Sequence, residues 1–383
     1  MIKHFMDYLR KPERRSVGLI FFALSLSIGA WVTRLPEVKA DLGLTKSELG
    51  LALLFIPLGS AVLLPFYGSI IRRMGEKRAT LVGIFAFLLI ILTPLLMTNL
   101  YSLMAALFFV GLALGITDVA MNTVAAEVEK QFDCQIMSAS HGFFSLGGMI
   151  GAATTGIFIA QGIAPLQLLL ICSVLLRILI IPSARYLIDA RERSAPGKSF
   201  QLPPKAMLVL ALISFCIMMC EGGITDWSTI YLREDLLASA EMAGVGFAGF
   251  SALMALGRFA GDGLINKWVA KKLLIYGLLL ASVGLGISIL GSFELAVLGF
   301  SLAGIGYATV FPILFGSAAR VKGVAAEVGI ASVASSGYIG ILVGPAVIGF
   351  IADQTSLAGG FIFLLVLTAI GWFLSLKIDR LTN

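Results

Sequence analysis

Charge is what this chain has least of. Asp, Glu, Lys and Arg make up 13% of its 383 residues, about half the share of an ordinary soluble domain, which excludes a water-soluble protein of this length. Cysteine is scarce as well. Cys134, Cys172, Cys216 and Cys220 are too few, and three of them too deep in apolar stretches, to form a disulfide framework. The two histidines, His4 and His141, have no cysteine or carboxylate cluster beside them, so no metal site is expected. No Gly-x-x-x-x-Gly-Lys-Ser/Thr nucleotide loop and no ordered nucleophile constellation occurs, which argues against an enzyme and against a pump driven by hydrolysis. No cofactor is expected.

Apolar residues are abundant instead, at 58% with a mean hydropathy of +0.98. They fall into stretches of roughly 20 residues, the length a helix needs to cross roughly 30 Å of hydrocarbon. Twelve spans are expected near 16–35, 47–71, 79–98, 101–128, 136–161, 164–187, 204–232, 241–266, 272–291, 293–319, 327–352 and 358–377. Little is left for an extramembrane domain. The chain is therefore read as an all-α, multi-pass membrane protein embedded in a lipid bilayer.

The net charge of +6 is distributed by side. Arg34, Lys39, Lys46 and Arg233 fall on one side, Arg177 and Arg258 within spans, and every other basic residue on the termini or the turns level with them. This asymmetry predicts both termini in the cytoplasm, in a cell (inner or plasma) membrane. A nucleic-acid footprint is not expected, because the charges are divided among short loops. The basic start, the apolar run from Val17 and the small residues Ser27 and Gly29 resemble a signal-peptide cleavage region, but an internal repeat argues that this segment is retained.

A shift of 193 residues aligns Gly29 with Gly222, Glu48 with Glu241, Gly68 with Gly261, Gly111 with Gly304 and Ala125 with Ala318. It also aligns Gly147, Gly151, Gly156 and Gln161 with Gly340, Gly344, Gly349 and Gln354. One constant offset across six spans predicts two six-helix bundles related by a parallel repeat, 1–187 and 204–383, joined by a polar cytoplasmic linker at 188–203. Pro57, Pro65, Pro312 and Pro345 are read as helix interruptions that permit bending.

With these features the chain resembles the major facilitator superfamily over essentially its whole length. The loop after span 2 retains Gly68, Arg73, Gly75 and Lys77 of the family signature, with Arg72 where the family has Asp and Glu76 where it has Arg. Gly257-Arg258-Phe259-Ala260-Gly261-Asp262 looks like its counterpart in the second half. Trp31-x-x-Arg34-Leu35-Pro36, Asp118-Val-Ala-Met-Asn122, the run Ser140 to Gly147 and Asp226-Trp227-Ser228 are similar to the MosC/YbjJ-like branch. Asp118 through Asn122 is more distantly similar to an acidic-x-x-x-Asn pattern of the fucose-proton symporter. The resemblance implies the major facilitator fold and a proton-coupled role for Asp118.

Polar residues inside the spans carry the rest. A carboxylate in hydrocarbon costs about 3 kcal/mol on insertion scales, so an acid at mid-span faces a cavity or a partner. Asp118 lies near the middle of span 4, on one helical stripe with Gly111, Gly115 and Asn122. It is read as the proton acceptor, the alternative being a structural pair within the bundle. Glu127 faces elsewhere, toward the basic loop containing Arg73. His141 and Ser145 share a face of span 5, and the imidazole is suited to binding substrate or exchanging a proton with Asp118, or else to joining two helices. Glu221, before Gly222 and Gly223 in span 7, is the second proton candidate.

The expected substrate contacts are Trp31, Asn122, His141, Ser145, Glu221 and the aromatic surfaces Tyr307, Phe311 and Tyr338. Gates are expected at Arg34 with Asp226 and Trp227, at Arg73 with Glu127, and at Arg258 paired with Asp262. The reading is a monomeric secondary transporter moving a small polar solute, sugar-like, by alternating access with proton symport and a proton gradient as its energy source. The alternatives are a proton-coupled exporter of drugs or metabolites and a non-transporting membrane receptor.

Overall fold

Proline, glycine and small polar caps set where the helices begin and end. The structure is a computed structural model describing residues 2–189, 204–267, 269–321 and 323–378, with the side chains of 2–5 and 262–267 outside that description. Twelve of its helices are long and apolar enough to cross a membrane. Spans 1 to 6 are Pro12–Val32, Lys46–Met74, Glu76–Leu96, Leu100–Phe132, Met137–Ala160 and Pro165–Tyr186. Spans 7 to 12 are Lys205–Asp235, Ala240–Gly261, Ala270–Ser288, Phe293–Ala318, Ala326–Gln354 and Leu357–Ser375. An even number of crossings brings both ends of the chain to one side, here the terminal side, opposite the far side. Of the expected linker, 190–203 lie outside the described residues.

Pro12 opens span 1 at a position where no helical N–H is needed. Gly75, at φ +83°, adopts the left-handed backbone that turns span 2 into span 3. Asn99 and Ser102 form a reciprocal capping box at span 4, while Ser292 and Ser356 cap spans 10 and 12. Span 2 breaks between Leu53 and Phe55, and span 10 between Tyr307 and Val310. Each break lies about one turn before a proline, Pro57 or Pro312, whose ring clashes with the carbonyl four residues back. Pro65 and Pro345, expected as interruptions too, lie inside continuous helices.

The packing follows the sequence repeat. Spans 1 and 5, 2 and 4, and 3 and 4 pack together in the first half, and 7 and 11, 8 and 10, and 9 and 10 in the second. Gly147 rests on the carbonyl of Phe22, and its aligned partner Gly340 on the carbonyl of Phe215. Gly151 rests likewise on the Leu26 carbonyl, while its aligned partner Gly344 lies nearest the Met219 side chain. Each pair keeps the same offset of 193, and at Gly147, Gly340 and Gly151 only a residue without Cβ allows two backbones this close. Large apolar side chains such as Phe109, Ile178 and Phe373 point outward, where hydrocarbon is their solvent.

The two halves meet along two flanks. Spans 5 and 8 are packed at both ends, with Gly156 against the Glu241 carbonyl on the far side and Gly142 against the Phe259 ring toward the termini. Ser138 Oγ also donates to the Arg258 carbonyl at 2.7 Å. Spans 2 and 11 meet on the far side, with Gly50 against the Pro345 carbonyl and Gly349 against the Lys46 carbonyl. Toward the termini their contact falls away, leaving Tyr338 and Ile339 40% and 39% exposed.

Candidate functional site

Two polar clusters lie between the halves. The first is built on span 4, whose glycine stripe brings span 2 close: Gly111 rests on the Ile56 carbonyl and Gly115 on the Tyr67 hydroxyl. Ser60 Oγ donates to the Gly111 carbonyl at 2.7 Å, and Tyr67 returns its hydroxyl to the Ser60 carbonyl at 2.7 Å. One turn beyond Gly115, Asp118 faces the second half. Asn122 Nδ2 donates to Asp118 Oδ1 at 3.2 Å and to its carbonyl at 2.8 Å. Tyr338, from span 11, donates its hydroxyl to Asp118 Oδ2 at 3.1 Å. Both side-chain partners of this carboxylate are neutral. Phe311 packs its ring against Gly337, the neighbour of Tyr338 in the chain.

The second cluster centres on Arg258 of span 8. Its Nη2 donates to Glu221 Oε1 of span 7 at 3.1 Å, and its Nη1 crosses to Ser145 Oγ of span 5 at 2.8 Å. Ser145 in turn donates to the His141 carbonyl at 3.2 Å. Arg258 extends inward from its helix to Glu221 and Ser145; its expected pairing with Asp262 falls on a side chain outside the described residues. His141 does not reach toward Asp118: its ring meets Phe21 edge-on at 5.1 Å.

A third layer closes the far side. Asp353, at the end of span 11, accepts the backbone N–H groups of Lys46 and Ser47 at 3.0 and 2.8 Å. Thr45 and Glu48 satisfy the neighbouring donors through a capping box, so the start of span 2 is capped by both halves. Lys39 pairs with Glu234 at 2.8 Å and Lys46 with Asp235 at 3.4 Å, while Asp235 also accepts from the Leu357 N–H. Thr229 donates to the Val32 carbonyl at 2.9 Å, tying span 7 to span 1.

Several expected placements are corrected. Arg34 does not contact Asp226; it is buried and donates to Glu37 at 2.9 Å and to the Ile163 carbonyl, because the short helix Leu35–Asp41 brings Glu37 one turn above it. Trp31, expected to contact the solute, is buried and lines no open site, whereas Trp227, expected at the gate with Arg34, is buried on the far side beside Gly349. Tyr307 is buried inside the second half with its hydroxyl 2.6 Å from Thr368 Oγ1. Glu127 accepts from Gln131 at 2.7 Å, one turn along its own helix, in place of the basic loop, and Arg73 is exposed. Asp189 caps the start of span 3 at the Lys77 N–H. Among the described residues no group of three or more His, Cys, Asp or Glu could hold a metal ion.

Tyr67, Asp353, Glu234 and Asp235 were missed by the sequence reading. The signal available for the acids was sign complementarity: Lys39 and Lys46 of the first half face acids of the second.

Comparison with known proteins gives a consistent picture. The sequence model described as Major Facilitator Superfamily matches residues 17–236 and 210–382. An "Uncharacterized MFS-type transporter" of Yersinia pestis is 37% identical over 360 residues, covering 93% of this chain and 94% of the relative. The "Membrane protein MosC" of Rhizobium meliloti is 29% identical over 377 residues, 97% of this chain and 91% of the relative. Among solved structures, the fucose:proton symporter of E. coli superposes with a TM-score of 0.61 at 15% identity, covering 95% of this chain and 98% of that one. That likeness is one of fold.

Proposed function

The chain belongs to the Major Facilitator Superfamily, and we propose that this transporter moves a small polar solute, sugar-like in character, together with a proton by alternating exposure of a site between its two halves. Membrane embedding and a small-molecule substrate follow from the family; the coupling and the solute class are our reading. The protein acts as a monomer in the cell membrane with both termini in the cytoplasm, uses no cofactor and draws on the proton gradient.

One observation carries the coupling. Of the two mid-membrane carboxylates in the central clusters, Glu221 is neutralised by Arg258, whereas the side-chain partners of Asp118 are the neutral groups Tyr338 and Asn122. An acid without a counter-ion at this depth changes charge more readily than one locked in an ion pair. Asn122 and the phenol of Tyr338 hydrogen-bond it, and the Phe311 ring packs against Gly337 beside Tyr338, so hydrogen-bonding and apolar surfaces that suit a hydroxylated solute lie close together.

The test is transport by the purified protein in vesicles. Asp118→Asn is expected to retain solute counterflow exchange and lose accumulation driven by a pH gradient. Undiminished pH-driven accumulation in that variant refutes the proton role, and the absence of gradient-dependent flux for every solute in a panel of sugars, polyols, amino acids and organic acids refutes the transport reading.

A further inference from the structure

The flanks between the halves are joined differently. Spans 5 and 8 are held at both ends by contacts that no change of charge would alter: Gly156 against the Glu241 carbonyl, Gly142 against Phe259, and the Ser138 hydrogen bond to the Arg258 carbonyl. On the other flank, spans 2 and 11 are joined on the far side and separate toward the termini. At mid-depth this flank is bridged by the hydrogen bond from Tyr338 to Asp118. Its acceptor is the carboxylate assigned above to the proton.

The geometry divides that carboxylate. Asn122 of the same helix occupies Oδ1, leaving Oδ2 to Tyr338 of the other half. A hydrogen bond to an ionised oxygen is roughly twice as strong as one between neutral groups. The titratable groups that face Asp118 are Tyr67 of span 2, whose proton is given to the Ser60 carbonyl, and Tyr338 of span 11. Spans 1 and 3 present no titratable side chain at this depth, and His141 of span 5 is turned to Phe21. No group other than Tyr338 therefore links the charge on Asp118 directly to the second half among the described residues.

We propose that Tyr338 is the positioning residue that transmits the charge state of Asp118 to the second half, holding spans 4 and 11 together while the acid is ionised and releasing them when it is neutral. This rests on Asp118 being the proton-carrying group. It assigns the phenol a role beyond that of an aromatic surface for the solute: the proton on Asp118 competes with a cross-half bond, so loading it changes how the halves are held.

The test uses the full chain in lipid nanodiscs, with spin labels on cysteines introduced at Phe66 of span 2 and Ile330 of span 11 and the native cysteines replaced. Both positions are exposed on the terminal half of the flank. The distance between labels is expected to lengthen from alkaline to acid pH in the parent protein and to stay long at every pH in Tyr338→Phe. The two-state ratio at alkaline pH should move by about tenfold or more, the worth of the hydrogen bond to a charged group that the variant loses. A singly ring-fluorinated tyrosine at 338, nearly isosteric and a stronger donor, compared with the parent at a pH where its phenol keeps its proton, should move the ratio the opposite way and keeps the test open if the phenylalanine variant misfolds. A Tyr338→Phe protein that responds to pH as the parent does overturns the proposal. If Asp118→Asn abolishes pH-driven accumulation while the Tyr338 variants leave the distances unchanged, only the role of Tyr338 falls; if Asp118→Asn changes nothing, the proton assignment falls with it.

Discussion

Asp353 caps a helix that belongs to the other half of the molecule: its two carboxylate oxygens accept the N–H groups of Lys46 and, at 2.8 Å, Ser47. The start of a helix carries partial positive charge, so an anion there is stabilised at the same time as the unpaired donors are satisfied. The corresponding position in the repeat, Ala160, has no carboxylate, so the flank of spans 5 and 8 lacks this cap.

Opening the far side requires that cap to break, together with the Lys39–Glu234 and Lys46–Asp235 pairs. Asp353→Ala should weaken far-side closure by about 1–2 kcal/mol, the worth of a favourable helix-terminus carboxylate. A cysteine at Ser47 in that variant should react with a membrane-impermeant thiol reagent on the order of tenfold faster than in the parent background. Equal labelling rates would remove Asp353 from the gate.

Arg258 and Glu221 form a pair whose side chains are 13% and 20% exposed. Removing one member of a largely buried pair leaves the other charge uncompensated, so Arg258→Ala should destabilise the protein by about 3–5 kcal/mol. Arg258→Met combined with Glu221→Gln should recover most of that loss, since neither charge then remains. Thermal unfolding in detergent measures both, and a double variant no more stable than Arg258→Ala would show that the ion pair is not the source of the effect.

The aligned glycines should be equally intolerant of substitution. Gly147→Ala and Gly340→Ala each place a methyl group against a backbone carbonyl, of Phe22 and Phe215, and should cost about 1–3 kcal/mol through overpacking. Gly222 differs: the atom nearest to an added Cβ is Ile341 Cγ1 at 4.0 Å. Gly222→Ala should be neutral or stabilising by up to about 1 kcal/mol, because alanine is the better helix former. Comparison of melting temperatures for the three variants tests the backbone contacts, and a Gly147→Ala protein as stable as Gly222→Ala would contradict them.

The spans and their doubling were legible because apolar length and a constant offset are properties of consecutive residues. Gly111, Gly115, Asp118 and Asn122 could likewise be placed on one face from spacing alone, and they lie on one face, the glycines against span 2. Partners were far less legible. Arg34 was matched to Asp226 by depth, yet a short helix between spans 1 and 2 places Glu37 closer. Trp31 and Tyr307 were expected to line the site but are buried by neighbouring helices whose tilt and crossing are not written in their own periodicity.

The four basic residues that depart from the charge asymmetry illustrate the same division. Arg34, Lys39, Lys46 and Arg233 could be counted on the far side from sequence, but only the packed structure gives them Glu37, Glu234, Asp235 and the Ala238 carbonyl as partners. The amino-acid sequence by itself determined the twelve apolar helices, their twofold repetition and which helix face carries Asp118, since hydrophobic length and helical period are local. Only the tertiary structure decided that Tyr338 meets Asp118, that Arg258 joins Glu221 to Ser145 and that Asp353 caps span 2. Those partners lie on separate helices, and angstrom-scale packing of backbones at glycine contacts sets which side chains come within hydrogen-bonding reach.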